Sequence, residues 1–253
     1  MTLRRALITG AGQRLGQVMA GALGARGYAV AVHYRGSNAG AEATAETVHA
    51  AGGSAQLVQA DLQSETETAG LVAAAANALG GPLGLLVNSA SAFLPDEAID
   101  HRREGWDLHM DVNLRAPIHL AQQFAKQLPA DQKGVVVNMI DQRVWKLNPT
   151  FFTYTLSKSA LWAATQTLAQ GLAPNIRVNA IGPGPTLRNA RQSDEDFQKQ
   201  VDATLTGEGS NPDEIARALL YLLDATAVTG QMIAVDGGQH LIWQTPDVVG
   251  LVE

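Results

Sequence analysis

The stretch Thr9-Gly10-Ala11-Gly12-Gln13-Arg14-Leu15-Gly16 decides the fold of this chain. It follows an apolar run at 4–9 and opens an Ala-rich amphipathic run near 14–26. Glycines permit a tight turn from strand to helix and let a ligand approach the backbone closely. The first helical turn adds unpaired N–H groups and the positive end of the helix dipole. The stretch therefore predicts the phosphate-binding turn of a βαβ unit, with Gly10, Arg14 and Leu15 against the ligand.

Short β-rich runs alternate with longer helical patterns along the rest of the chain. The strands are predicted at 4–9, 29–33, 55–59, 83–88, 134–139, 176–181 and 231–235, and the helices near 14–26, 38–51, 64–79, 103–128, 151–172, 194–204 and 211–223. Such alternation is typical of parallel strands joined by crossover helices. We therefore expect one α/β domain over 1–253, a Rossmann-type doubly wound parallel sheet of seven strands with helices on both faces.

Two regions depart from this alternation. The segment 184–210 is polar and interrupted by glycines, which predicts a mobile substrate loop. The tail 241–253 carries Trp243 and Pro246 after the last strand, and we expect it to pack on a neighbouring surface.

Composition excludes several classes of function. The chain of 253 residues has a net charge of -6 and no basic tract, so no nucleic acid partner is expected. It has no cysteine, and none of its six histidines has metal-ligand spacing, so no metal is expected. No apolar stretch reaches the roughly 20 residues of a membrane helix, and no secretion signal opens the chain. We expect a soluble cytoplasmic protein.

The end of the second strand predicts the cofactor. An NAD-type site has an acidic residue there, but this strand ends His33-Tyr34-Arg35-Gly36-Ser37, without an acid. Arg35 and Ser37 suit a 2′-phosphate, because arginine binds phosphate through paired charge-assisted hydrogen bonds. We expect Arg14 to point into the same corner, and we predict NADPH rather than NADH.

Two further segments follow predicted strands. Asp61-Leu62, after the third strand, is placed to meet an adenine edge. Asn88-Ser89-Ala90-Ser91, after the fourth, has small side chains that let the backbone approach a ribose. Ligands of open α/β sheets bind at these carboxyl ends, so both segments are predicted to line the cofactor site.

Three residues point to proton transfer. Tyr154 and Lys158 stand four residues apart, which places them on one face of a helix. A nearby ammonium favours the phenolate, so we expect Lys158 to lower the pKa of Tyr154 and let it donate a proton near neutral pH. Asp141 stands thirteen residues before the tyrosine. Aspartate is also a common capping residue, so Asp141 has a structural interpretation as well.

With these residues identified, the chain resembles the short-chain dehydrogenase/reductase family over nearly its whole length. The matching pieces are the glycine-rich turn, Asp61, the segment 88–91, Asn113, Tyr154 with Lys158, Asn179, Pro183-Gly184 and Val235-Asp236-Gly237-Gly238. The resemblance implies that Lys158 grips the nicotinamide ribose and that Asn113 supports the Lys158 region. It also implies cofactor contacts from His33, Tyr34, Met139, Pro183 and Gly184. In this family, helices such as 103–128 and 151–172 form subunit interfaces, so we expect a homotetramer.

Two departures from the common family pattern are similar to pteridine reductases and bacterial dihydromonapterin reductases. Arg14 replaces the second glycine of the turn, and Asp141 replaces the usual catalytic serine. An aromatic at Phe93 and the segment 33–37 also fit, whereas Ser89 and the Trp243-containing tail do not. The similarity implies that Phe93 stacks on a flat pterin and that Arg14 touches both phosphate and pterin.

The aspartate favours reduction of a ring C=N. An ionised carboxylate cannot donate a hydrogen bond to a substrate carbonyl, as a serine hydroxyl does. Reduction of C=N needs a hydride on carbon, which the cofactor supplies, and a proton on nitrogen, which Asp141 and Tyr154 can supply. We therefore predict an NADPH-dependent reductase of pterin or folate-like substrates.

Two alternatives stay open at this point. One is a carbonyl reductase, for example of 3-oxoacyl thioesters, which a serine at position 141 would favour. The other is an NADPH-sensing protein without turnover, which would be expected to lack Tyr154 or Lys158.

Overall fold

The computed structural model describes residues 3–188 and 191–250. Positions 189–190 of the predicted loop 184–210 and positions 251–253 of the predicted tail 241–253 lie outside the described residues. The strands are β1 (Arg5–Ile8), β2 (Ala29–Tyr34), β3 (Ser54–Gln59), β4 (Leu85–Asn88), β5 (Gly134–Met139), β6 (Ile176–Pro183) and β7 (Met232–Val235). They form one parallel sheet in the order β3-β2-β1-β4-β5-β6-β7.

Helices connect successive strands. They are α1 (Arg14–Ala25), α2 (Asn38–Ala50), α3 (Glu65–Ala78), α4 (Arg103–Met110), α5 (Ala116–Gln127), α6 (Phe152–Gly171), α7 (Asp194–Asp202) and α8 (Pro212–Asp224). A π-helical turn, Asp111–Arg115, joins α4 to α5. The predicted helix 103–128 is therefore one continuous helix with a wide turn inside it, and α7 lies within the predicted loop.

Alternation along the strands places hydrophobic clusters on both faces of the sheet. Ile8 and the α1 residue Leu23 belong to one core, on the face that α1 and α8 cover. Leu7, the next residue of β1, belongs to the other core with Phe124 of α5. Because successive side chains of a strand point to opposite faces, both faces of the sheet are apolar and both are covered by helices. The predicted doubly wound α/β sheet is confirmed.

The order of the strands positions the site. The chain runs outward from β1 to β3 and then crosses back, so that β4 pairs with β1 on its other side. Crossover helices leave the carboxyl ends of β1 and β4 in opposite directions at this switch point, and the gap between them is where ligands of such sheets bind.

The helices were compared with the requirements of a membrane span. Within residues 3–188 and 191–250, no helix has both the length and the apolar character that crossing a bilayer requires.

Two helical glycines provide a stability test of this packing. A Cβ on Gly24 of α1 would lie 2.8 Å from the carbonyl oxygen of Val48 in α2, whereas a Cβ on exposed Gly70 of α3 would meet nothing within 4 Å. Gly24→Ala should lower the free energy of unfolding by about 1–3 kcal/mol through overpacking. Gly70→Ala should raise it by about 0.5–1 kcal/mol through helix propensity. Urea unfolding of both variants measures the difference, and equal effects would contradict the described contact of α1 with α2.

Candidate active site

A cleft of about 1130 Å³ opens at the carboxyl ends of the strands. It brings together segments that are far apart in the sequence, from the glycine-rich turn to the segment after β6. Its lining includes Gly10, Arg14, Leu15, His33, Tyr34, Arg35, Ser37, Asp61, Leu62, Ala90, Ser91, Phe93, Met139, Asp141, Tyr154, Lys158, Pro183 and Gly184. Most of the residues predicted from the sequence therefore share one cavity.

The glycine-rich turn is tightly enclosed by backbone. Gly10 has a φ of +65°, and a Cβ there would lie 2.8 Å from the Ala90 Cα. A Cβ on Gly16 would lie 2.6 Å from the Gly10 carbonyl oxygen. The helix α1 that follows has no side-chain cap at Gln13 and no acidic residue in its first turn. Its N–H groups and its dipole are thus suited to an anionic ligand.

His33 supports this turn through both ring nitrogens. Nδ1 accepts the N–H of Gly10 at 3.0 Å, and Nε2 lies 3.1 Å from the Ala60 carbonyl oxygen. These partners require a neutral ring that carries its proton on Nε2, because Nδ1 must accept. Burial lowers the pKa of His33 to about 4, which agrees with a neutral ring. His33 lines the cleft as predicted, but its hydrogen bonds hold the backbone of the turn.

The guanidinium of Arg14 bridges to the segment after β6. Its two terminal nitrogens donate to the carbonyl oxygens of Leu187 and Arg188, each at 2.9 Å. The guanidinium thus bonds to the segment after β6, and contact of Arg14 with a phosphate beside Arg35 and Ser37 stays a prediction. Two backbone carbonyls of that segment lie within reach of its planar fork.

The end of β2 is open to solvent. Arg35 and Ser37 are exposed there, while Tyr34 is half-buried and packs against the core under α1. Asp61 lies across the same end of the cleft. Its carboxylate accepts the N–H of Gln63 at 3.0 Å, so it also stabilises the turn into α3.

One predicted cofactor residue lies below the cleft. Asn88 is buried, and its side-chain amide donates to Asn138 Oδ1 at 2.8 Å, while Asn138 in turn donates to Thr165 Oγ1 at 2.9 Å. The side chain therefore ties β4 to β5 and α6 and does not line the cleft. The side chain of Asn88 lies outside the cleft because the last residue of the strand points into the core, whereas Ala90 and Ser91 reach the rim.

Asp141 and Tyr154 are in direct contact. The phenol of Tyr154 donates to Asp141 Oδ2 at 2.9 Å. The other carboxylate oxygen, Oδ1, accepts the N–H of Arg143 at 2.8 Å and caps the short 3₁₀ turn Gln142–Val144. Asp141 is therefore a capping residue, as its structural interpretation predicted, and its second oxygen faces the tyrosine.

Lys158 does not contact the phenol oxygen. Its Nζ donates to the Met139 carbonyl oxygen at 2.8 Å and lies 5.8 Å from the centre of the Tyr154 ring. Burial lowers the pKa of Lys158 to about 8, and the charge of Asp141 partly opposes this shift. The ammonium is thus held at the end of β5, beside the acid and the tyrosine.

The expected lowering of the Tyr154 pKa is wrong in this structure. Burial raises the pKa of Tyr154 well above its usual value, and the charge of Asp141 and its hydrogen bond raise it further. Burial also raises the pKa of Asp141, against the opposing effects of Arg143, Tyr154 and Lys158. The phenol therefore stays protonated beside a carboxyl group that holds a proton more readily than an exposed aspartate does.

Asn113 is buried behind the wall of the cleft and does not line it. It lies in the π-helical turn, fully buried, and its Oδ1 accepts the Ala92 N–H at 2.7 Å while its Nδ2 donates to the Ala92 carbonyl at 2.9 Å. It also donates to Ser157 Oγ at 3.1 Å. Asn113 therefore clamps the loop that carries Ser91 and Phe93, and its contact with Ser157, the residue before Lys158, agrees with the predicted support of the Lys158 region.

Phe93 lies on the loop after β4 and packs against the start of α6. Its ring stacks on Phe151 with centroids 4.2 Å apart, and it meets Tyr154 edge to face at 4.6 Å. Arg191 lies over the Phe93 ring at 5.5 Å and donates to its carbonyl oxygen at 2.7 Å. Sequence reasoning missed Phe151 and Arg191. Neither belongs to a motif, and only the fold brings them to Phe93.

Trp145 follows the turn that Asp141 caps. It packs edge to face on Trp162 and against His240, and it is not among the residues that line the cleft. Lys146 donates to the carbonyl oxygens of Gln239 and Ile242, at 3.5 and 3.3 Å. The segment after Asp141 therefore anchors the beginning of the tail.

The fold and the site are those of Rossmann-type oxidoreductases. A family model described as enoyl-(acyl carrier protein) reductase matches residues 10–240. A 3-oxoacyl-[acyl-carrier-protein] reductase of Staphylococcus epidermidis is 30% identical over 244 residues, covering 94% of this chain and 99% of that protein. The chain belongs to the short-chain dehydrogenase/reductase family.

Two further comparisons are closer in sequence. An uncharacterized oxidoreductase of Methylorubrum extorquens is 34% identical over 241 residues, covering 92% of this chain and 96% of that protein. The crystal structure of FolM alternative dihydrofolate reductase 1 from Brucella canis, complexed with NADP, is 47% identical. It superposes with a TM-score of 0.92 over 98% of this chain and 100% of that one.

Arg14 offers a test of the bridge to the segment after β6. Its φ of +55° is strained for a residue with a Cβ, by about 1–2 kcal/mol. Arg14→Gly and Arg14→Ala both remove the two hydrogen bonds, but only glycine removes the strain. We expect Arg14→Gly to be more stable than Arg14→Ala by about 1 kcal/mol in urea unfolding.

Both variants should speed amide exchange in residues 184–188 to the same extent, because the bridge is lost in each. Equal stability of the two variants would contradict the strain at Arg14, and unchanged exchange in both would contradict the bridge.

Proposed function

We propose that this protein is an NADPH-dependent reductase of dihydropterin rings, including those of folate-like substrates. Hydride is added to the carbon of a ring C=N bond and a proton to its nitrogen, which gives the tetrahydro form. The observation that carries the proposal is the contact of the Tyr154 phenol with Asp141 Oδ2, at 2.9 Å in the cleft.

An acid in this place suits a nitrogen heterocycle better than a ketone. An ionised carboxylate facing a carbonyl would repel the alkoxide that forms as the carbonyl is reduced. Facing a pterin, the same group can accept from an amino group or a ring N–H when ionised, and donate to a ring nitrogen when protonated. Burial raises the pKa of Asp141, which favours the protonated form that donation requires.

The residues present fit a dinucleotide with a 2′-phosphate. Backbone atoms of Ala90 and Gly10 leave no room for a Cβ at Gly10 or Gly16, so the turn stays tight, and the uncapped start of α1 lines the same cleft. Arg35 and Ser37 close that end without a carboxylate at the end of β2, which suits a phosphate and disfavours free ribose hydroxyls. The similar Brucella canis protein was crystallised with NADP. The reduced nicotinamide would supply the hydride.

The residues around the reacting ring then have separate tasks. Lys158, held on the Met139 carbonyl, grips the nicotinamide ribose and keeps a positive charge near the acid. Tyr154 donates to Asp141 and so holds the carboxyl group toward the substrate. Phe93 lies beside Tyr154 in the cleft, and a bicyclic ring would stack on it in place of Phe151 or Arg191, which lie against its ring in this structure.

A carbonyl reductase is the second candidate. It is favoured by the similarity to a 3-oxoacyl-[acyl-carrier-protein] reductase over 94% of this chain. The higher identity to an alternative dihydrofolate reductase, 47%, and the aspartate at position 141 both favour the pterin substrate.

A substrate panel separates the two candidates. At one enzyme concentration and with NADPH, we expect the wild-type protein to reduce dihydrobiopterin, dihydromonapterin or dihydrofolate faster than an acetoacetyl thioester. Its activity with NADPH should exceed its activity with NADH. Asp141→Ser should lower kcat/KM for the pterin by about 10²–10⁴, because the proton donor is lost. It should spare reduction of the thioester. A wild type that consumes the thioester and ignores all three bicyclic rings would refute the proposed function.

The buried ammonium predicts a pH dependence of cofactor binding. The pKa of Lys158 is about 8 in the free protein, so its positive charge is present below this pH and lost above it. NADPH is an anion, and its binding favours the charged form. Binding of NADPH should therefore weaken as the pH rises through about 8, measured by fluorescence titration. In Lys158→Met the dissociation constant should stay constant over the same range, and parallel curves for the two proteins would assign the effect to another group.

A further inference from the structure

The helix that carries Tyr154 and Lys158 lacks a cap of its own. Phe151 precedes α6 with a φ of +54° and offers no side-chain cap. Asp96, from the loop after β4, supplies the missing acceptors. Its Oδ1 accepts the N–H of Thr153 at 3.1 Å, its carbonyl oxygen accepts the N–H of Phe152 at 3.2 Å, and its Oδ2 accepts the Thr153 hydroxyl. A remote aspartate therefore satisfies the first turn of the catalytic helix.

A buried histidine completes this junction. His109 of α4 is fully buried, with Nδ1 at 2.6 Å from Thr153 Oγ1 and Nε2 accepting the N–H of Leu94 at 3.0 Å. The hydroxyl of Thr153 has one hydrogen, which goes to Asp96, so His109 Nδ1 must donate to Thr153. Hence each hydrogen bond has one donor and one acceptor only when His109 is neutral.

The charges around His109 agree with that neutral state. Burial lowers the pKa of His109, Asp96 opposes this shift, and the ammonium of Lys158 adds to it. The ring of His109 also meets the ring of Tyr154 edge to face, with centroids 6.0 Å apart. The histidine is therefore in contact with both the loop and the catalytic helix.

The junction connects the two side chains that meet in the cleft. Leu94 follows Phe93, and Thr153 precedes Tyr154, so each anchored residue is the chain neighbour of a site residue. Phe93 and Tyr154 lie 4.6 Å apart, edge to face, on separate elements. Their relative position therefore depends on what holds the loop to the N-terminus of α6.

We infer that Asp96, His109 and Thr153 are positioning residues, which fix the Phe93 surface relative to the Tyr154 hydroxyl through the chain Leu94 N–H to His109 to Thr153 to Asp96. This inference rests on the proposed function for the identity of the substrate, but the geometry concerns any flat ring that is reduced in this cleft. A merely structural junction would change stability alone. A positioning junction also changes catalysis, because misplacement of a bound ring by about 1 Å can reduce the rate roughly 100-fold.

Thr153 offers a matched pair of variants. Thr153→Val keeps the shape of the side chain and removes the hydroxyl, so His109 Nδ1 loses its acceptor and Asp96 Oδ2 its donor. Thr153→Ser keeps the hydroxyl. Thr167→Val removes an exposed hydroxyl farther along α6, one that donates to Ala163 and Ala164 within its own helix, and serves as the control.

We expect Thr153→Val to lower kcat/KM for a dihydropterin by about 10- to 100-fold, with the dissociation constant of NADPH changed less than about twofold. The amide of Leu94 should exchange at least about tenfold faster, because its acceptor is no longer fixed. Thr153→Ser and Thr167→Val should remain near wild type in all three measurements. If Thr153→Val fails to fold, Asp96→Asn replaces it, since one accepting oxygen then becomes a donor facing Thr153.

Other results would overturn the inference. One is a Thr153→Val protein that is less stable but has unchanged kcat/KM and unchanged Leu94 exchange. Another is a Thr153→Ser protein that loses as much activity as Thr153→Val. If the wild type reduces no pterin, the proposed function fails. The exchange of Leu94, together with turnover of whichever substrate the wild type accepts, then still decides the role of the junction.

Discussion

All seven strands run parallel, and this constraint determines where the site can form. Parallel strands end at one edge of the sheet, so the residues after each strand meet there although they are distant in sequence. Gly10 follows β1, Arg35 follows β2, Asp61 follows β3, Ser91 follows β4 and Asp141 follows β5, and all of them line one cleft. The helices that cover both faces keep this edge as the accessible end of the sheet.

Burial dominates the electrostatics of the site. The sequence places an ammonium near a phenol, which by itself would favour the phenolate. In the structure, burial and Asp141 together raise the pKa of Tyr154, while burial lowers that of Lys158. The three groups thus keep protons on oxygen and reduce charge on nitrogen, because each charged form loses solvation inside the protein. The site therefore favours the protonated forms of Asp141 and Tyr154 over the carboxylate and the phenolate.

Strand and helix positions could be read from the sequence because local patterns encode them. The alternation of apolar runs predicted each strand and helix to within a few residues, as at Gly134–Met139. The glycine-rich turn and the Tyr154/Lys158 spacing were equally local. Side-chain direction could not be read in this way. Asn88 turns into the core toward Asn138, and the Arg14 guanidinium reaches the segment after β6, and neither choice is visible in a linear pattern.

The sequence by itself determined the fold class, the glycine-rich turn and the presence of an acid where a serine is usual, because periodicity and short motifs act over a few residues. Only the tertiary structure decided which groups meet. Asp96 and His109, 57 and 44 residues from Thr153 along the chain, reach it only once the loop after β4 packs on the start of α6. The same packing decides protonation, since a pKa depends on burial and on neighbours that the chain brings together only when it is folded.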